Sequence, residues 1–126
     1  MKINTSELQG PALDWAVAKC NGKTLHYFVD DWFKKDPWLA VNGEADQPLH
    51  SYTPTTDWGQ GGPIIEQEEI SIQELEGIWS AFFRDKLFED DNSECWQDGP
   101  TPLIAAMRCY VASKLGNEVN VPEELK

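Results

Sequence analysis

The run GPTPLIAAMRCYVASKLG, residues 99–116, constrains the fold more than any other stretch of the chain. Thr101 supplies a side-chain oxygen for an N-cap, and Pro102 fits the first turn, where its missing N–H costs nothing. Gly116 suits the left-handed conformation that ends a helix. Ile104, Met107, Val111 and Leu115 recur on one stripe, so the predicted helix has a face to bury. Arg108 falls inside that stripe, between Ile104 and Val111. An unpaired guanidinium is costly to bury there, which calls for something negative opposite it. The candidates are a carboxylate of the chain, Asp57 or Glu66, and a phosphate or carboxylate of a ligand.

A second amphipathic helix is predicted in GPALDWAVAKCNG, residues 10–22, where Leu13, Ala16, Val17 and Cys20 repeat at helical spacing. Pro11 opens this helix and Asn21-Gly22 stop it. Between the two helices lies strand-like material: KTLHYFV at 23–29, WLAV at 38–41, and Pro63-Ile64-Ile65 running into EQEEISI. The segment SIQELEGIWSAFFRDKLFED, residues 71–90, fits two patterns. Ile72, Leu75, Trp79, Phe82 and Leu87 with a Ser71/Glu74 capping box fit a helix; Gly77 and the alternation through Ile78–Phe82 fit a strand. Separated strands without helical crossovers argue for an α+β fold, in which a small, mainly antiparallel sheet packs against the N-terminal and C-terminal helices. A length of 126 residues suits one domain, 1–126.

The block TDWGQGGPIIE, residues 56–66, crowds three glycines, a tryptophan and a proline against an apolar run. Consecutive glycines allow positive φ angles, which aim successive N–H groups into a nest for an anion. Gly59, Gly61 and Gly62 are therefore candidate phosphate or carboxylate binders, with Tyr52 and Trp58 as aromatic walls and Asp57 beside them. The block has neither the lysine and hydroxyl residue of a P-loop nor the strand-to-helix setting of a dinucleotide fingerprint. The other description is a tight loop whose glycines let Trp58 fold onto the core.

Charge and composition exclude several classes. The net charge is −12, and residues 66–98 carry eleven carboxylates against Arg84 and Lys86 alone. With no cluster of basic residues, direct binding to nucleic acid is not expected. The acid run reads as solvated surface; mimicry of a polyanion toward a basic host protein is its functional alternative. No segment suits a signal peptide or a membrane span, which points to the cytoplasm. Cys20, Cys95 and Cys109 lack metal or redox spacing and read as reduced, buried residues, and His26 and His50 have no ligand spacing. No metal or cofactor is expected, and no nucleophile motif with a recognisable base is present.

Three segments, LDWAVAKC, YTPTTDWGQGGPIIE and GPTPLIAAMRCYVASKLGNEVNVPEEL, resemble in order the signature blocks of the NinX-like family of small proteins encoded by lambdoid phages and prophages. The resemblance implies phage or prophage origin and action inside a bacterial host, and carries no assigned biochemical activity with it. The family's W-x-A pattern, here Trp79-Ser80-Ala81, lies in a region of shifting length and composition, which tilts the 71–90 segment toward strand. Function is accordingly expected to be that of a non-catalytic binding protein, taking a small anionic ligand or a host protein through Tyr52, Asp57, Trp58, Gly59, Gly61, Gly62 and Arg108. The alternatives are an enzyme on a nucleotide-like substrate in the same pocket and an acidic inhibitor of a basic host protein.

Overall fold

The computed structural model describes residues 1–26, 38–83 and 96–125. Among the described residues three α-helices, α1 (Gly10–Cys20), α2 (Trp58–Glu68) and α3 (Pro102–Leu115), combine with eight short strands. The strands are β1 (Lys2–Asn4), β2 (Thr24–His26), β3 (Trp38–Val41), β4 (Glu44–Pro48), β5 (Ile70–Leu75), β6 (Ile78–Phe83), β7 (Gln97–Gly99) and β8 (Glu118–Asn120). All pairing is antiparallel, in the orders β1-β8, β2-β3-β4 and β5-β6-β7. The α+β expectation holds, with the strands distributed over three small sheets.

Helix α3 is the centre. Thr101 accepts a hydrogen bond from the Ile104 N–H at 3.1 Å, and Gly116 closes the other end at φ 87°. From Ala105 to Ala112 every residue is buried, so the helix is covered on nearly all sides rather than along one stripe. It packs against α1, α2 and all three strands of the β5-β6-β7 sheet. Leu13, Val17, Met107, Val111 and Val121 are fully enclosed in this core. At the sheet β1-β8, Thr5 donates its hydroxyl to the Gly116 carbonyl at 2.6 Å and its N–H to the Asn117 carbonyl.

Residues 70–83 resolve the ambiguous segment as a hairpin. Ile70 pairs with Phe83 and Leu75 with Ile78, around a turn at Glu76-Gly77 in which both residues have positive φ. The Glu74 carboxylate accepts from the Gly77 N–H at 2.7 Å, so the expected capping glutamate closes a turn instead. The remainder of that segment, 84–90, lies outside the described residues, as do 27–29 of the KTLHYFV run.

The predicted strand at Pro63-Ile64-Ile65 is corrected: these residues lie in α2, which begins at Trp58 and takes in the whole glycine-rich block. Asp57 is its N-cap, accepting from the Gly59 N–H at 2.8 Å and, through its other oxygen, from the Gln60 amide at 3.0 Å. Gln60 also accepts from the Thr53 N–H and donates to the Ser51 carbonyl. Asp57 and Gln60 thus stand at the spacing of a capping box, and the glutamine binds the incoming chain to the first turn.

Behind this turn, Asp14 of α1 is buried and accepts from the Thr55 hydroxyl at 2.8 Å and the Thr55 N–H at 3.1 Å. Burial raises its pKa above the ordinary 3.8, and the two Thr55 bonds oppose the rise. The folded chain therefore binds the extra proton. This group's contribution to stability is full below about pH 3.8 and is lost as pH rises through the raised folded value. Asp14→Asn, which cannot titrate, should gain on the wild type across that interval. Near neutrality that gain should level off, as read by urea denaturation at a series of pH values.

Candidate functional site

The residues singled out by sequence fall in three places. Asp57, Trp58, Gly59, Gly61 and Gly62 lie together in the cap and first turns of α2. None of the three glycines has a positive φ, so the expected nest is not formed there. Their N–H groups belong to a capped helix: Asp57 binds that of Gly59, and the Gly61 N–H donates to the Asp57 carbonyl at 2.8 Å. Gly61 serves close packing, since a Cβ there would stand 2.4 Å from the Pro54 carbonyl oxygen and 2.7 Å from Leu103 Cδ2. Trp58 is not a core anchor: at the helix start it stays 54% exposed.

Tyr52 is buried elsewhere. Its phenol accepts from the Asn21 side-chain amide at 3.0 Å, while Tyr110 donates its hydroxyl to Asn21 Oδ1 at 2.9 Å, linking the end of α1 to α3. Lys23 lies 4.7 Å over the Tyr52 ring. Burial raises both phenols, that of Tyr110 to about 12, so they stay neutral at physiological pH. Burial likewise pushes the nearby Cys20 thiol up to about 12, far from the range of a nucleophile. Cys95 lies outside the described residues.

Arg108 occupies a third place. Its Nε donates to the Leu8 carbonyl and one Nη1 hydrogen to the Asp98 carbonyl, both at 2.8 Å. The expected pairing with Asp57 or Glu66 is not found, because this face of α3 looks toward β7 and the turn before α1, away from α2. Among the described residues no carboxylate lies within ion-pair distance of Arg108. The side chain is only 9% exposed, and burial lowers its pKa.

The guanidinium lines a cleft of about 530 Å³. Its lining includes Gln97, Asp98 and Gly99 of β7, Ile78 from the hairpin, Trp96 from the residue before β7, and Ser6. Strand β7 can stand this close to α3 because Gly99 has no side chain: a Cβ there would meet the Ala105 nitrogen at 2.8 Å. That approach puts the Asp98 carbonyl on Arg108. The Asp98 carboxylate accepts from the Ser80 hydroxyl at 2.6 Å. Ile78 is 53% exposed and Trp96 41%, and the indole stacks on Phe82 at 4.5 Å between ring centres.

Ile78, Trp96 and Ser6 were not among the residues marked by sequence. The signal for the first was the Glu76-Gly77 pair between two alternating apolar runs, a hairpin pattern that delivers its end residues to the tip. Chemically the cleft offers a cation held by neutral carbonyls, with donors that have no partner among the described residues, and two exposed apolar side chains, Ile78 and Trp96, on the same lining. Among the described residues no group of three or more His, Cys, Asp or Glu is placed to hold a metal ion. No helix among them is long and apolar enough to cross a membrane.

The family model described as "Bacteriophage P22, NinX" matches residues 4–114, and the chain belongs to that phage protein family. The match takes in all three helices but the last residue of α3, and every residue of the cleft named above. None of the curated proteins matches the chain.

Proposed function

We propose that this NinX-family chain is a non-catalytic binding protein acting in the cytoplasm of the phage-infected bacterium, and that it holds an anionic group of its ligand at Arg108. One observation carries the proposal. Arg108 is a buried residue lining an open cleft, with neutral carbonyls as its hydrogen-bond partners and no carboxylate beside it among the described residues. Burying a guanidinium is costly unless something negative faces it, and a cation with none among the described residues is suited to an anionic group of a ligand. Tyr52, Asp57 and the α2 glycines then support the fold around the site rather than the ligand.

A protein partner is the second reading. It is favoured by Leu75, 68% exposed, facing Ile78 across the hairpin tip with Glu74 and Glu76 beside them. Exposed apolar pairs on a charged surface are common anchors of protein contacts.

The test is thermal unfolding in acetate or phosphate against chloride at matched ionic strength. A ligand of the native state at a hundred times its Kd adds about 2.7 kcal/mol, which for a domain of this size raises Tm by about 10 °C. A concentration-dependent rise in the wild type that is lost in Arg108→Met supports the assignment. A wild type indifferent to both anions contradicts it.

A further inference from the structure

We infer that the group bound at Arg108 is a carboxylate carried on an apolar body, and that Ile78 and Trp96 are the surface that takes the body; this rests on the anion-binding proposal above. Two features of the cleft narrow the anion. A guanidinium that spends its Nε and one Nη1 hydrogen on backbone carbonyls has three N–H donors without a partner among the described residues, enough for a two-pronged contact with a planar carboxylate. The same cleft is lined by Asp98 and sits in a chain of net charge −12, so a second negative charge on the ligand is repelled twice over. A single-charge carboxylate meets Arg108 with the least opposition, and a phosphate dianion with the most.

The apolar lining narrows the rest of the molecule. Bare small anions gain one guanidinium contact against the field of the whole chain. Ile78 and Trp96, by contrast, leave apolar surface open at two places along the same cleft, at opposite ends of the β6-β7 pairing with the Ser80–Asp98 hydrogen bond between them. Trp96 already has one ring face stacked on Phe82, which fixes the indole as a rigid wall at low entropic cost. An apolar group attached to the carboxylate covers one of these places or, if extended, reaches both, and supplies the affinity that the charge alone lacks. Such chemistry has two sources, a small apolar acid and the C-terminal end of a polypeptide whose last residue is apolar.

The experiment titrates the wild-type chain with acetate, phenylacetate, phenylacetamide, and an acetylated tetrapeptide ending in leucine as free acid or amide. Phenylacetate is expected to bind at least tenfold more tightly than acetate, with both neutral amides failing to bind. Ile78→Ser, at an exposed hairpin tip, should shrink the preference for phenylacetate over acetate, and Arg108→Met should remove binding of all the acids. A peptide acid tighter than phenylacetate identifies a polypeptide terminus as the source; the reverse order identifies a small acid. Equal, Arg108-dependent binding of acetate and phenylacetate overturns this inference and leaves the anion site standing. Failure of every acid overturns this inference, and the anion site falls with it only if phosphate also leaves the wild-type Tm unchanged.

Discussion

Gly61→Val is expected to cost about 3 kcal/mol of stability, at the upper end of what overpacking a closed site does. The β-carbon alone would overlap the Pro54 carbonyl oxygen and press on Leu103, and the two γ-methyl groups have nowhere to go. Pro54 is held in the segment that Asp14 and Gln60 fasten, and Leu103 is in the first turn of α3, so relief requires α2 to move away from both. That movement would loosen Ile64, which is buried in the core from the next turn of α2. Urea denaturation should report the loss, and Tm should fall by about 10 °C. Gly62→Ala is the control. Its β-carbon meets nothing within 4 Å, and the gain in helix propensity of about 1 kcal/mol is offset by crowding from the ring of Pro63, so the net change should stay within about 0.5 kcal/mol. A small effect at Gly61 would mean that α2 does not approach the Pro54 segment as closely as described.

The second large effect is expected at Arg108, and it has two parts. Arg108→Met deprives the Leu8 and Asp98 carbonyls of their donor, at roughly 1–3 kcal/mol for each buried acceptor left alone. It also removes a cation whose burial is unfavourable, as its lowered pKa reflects. The net loss should be about 2 kcal/mol, smaller than the roughly 3–5 kcal/mol that follows when a buried carboxylate loses its only partner. Because the arginine joins the turn before α1 to β7, destabilisation alone does not separate a ligand role from a structural one. The separation comes from Arg108→Lys, which keeps the charge and one possible carbonyl bond but lacks the planar fork. It should recover part of the stability while giving a weaker response to carboxylates.

Much of the fold was legible because its signals are local. Thr101, Pro102 and Gly116 cap α3 as their side chains dictate, and Pro11 and Asn21 bound α1 within a residue of expectation. Helix α2 was misread because intrinsic propensity opposes it, by about 3 kcal/mol for Pro63 and about 1 kcal/mol for each glycine. What overrides this is tertiary: Ile64 is buried, Gly61 is pinched between Pro54 and Leu103, and Asp57 with Gln60 fixes the first turn. The Asp-x-x-Gln spacing was the available clue, masked by glycines that read as loop. At the candidate site, Arg108 stood out because burying a charge on a helix face demands an account. Its actual partners are main-chain carbonyls from residues 8 and 98, a hundred and ten positions away respectively, and carbonyls leave no mark in sequence. The same holds for Trp96 and Ile78, whose presence on one cleft lining depends on the β6-β7 pairing.

The most direct measurement is nuclear magnetic resonance of the Arg108 Nε–H group during titration with phenylacetate. Its hydrogen bond to the Leu8 carbonyl slows exchange with water and keeps the signal observable, and Arg108→Lys assigns it by its disappearance. The account predicts a saturable shift of this resonance together with that of the Trp96 indole N–H, while the Trp58 indole on the exposed start of α2 stays in place. Saturation that moves Trp58 and leaves Arg108 unmoved would put the ligand on α2 and contradict the assignment of the cleft.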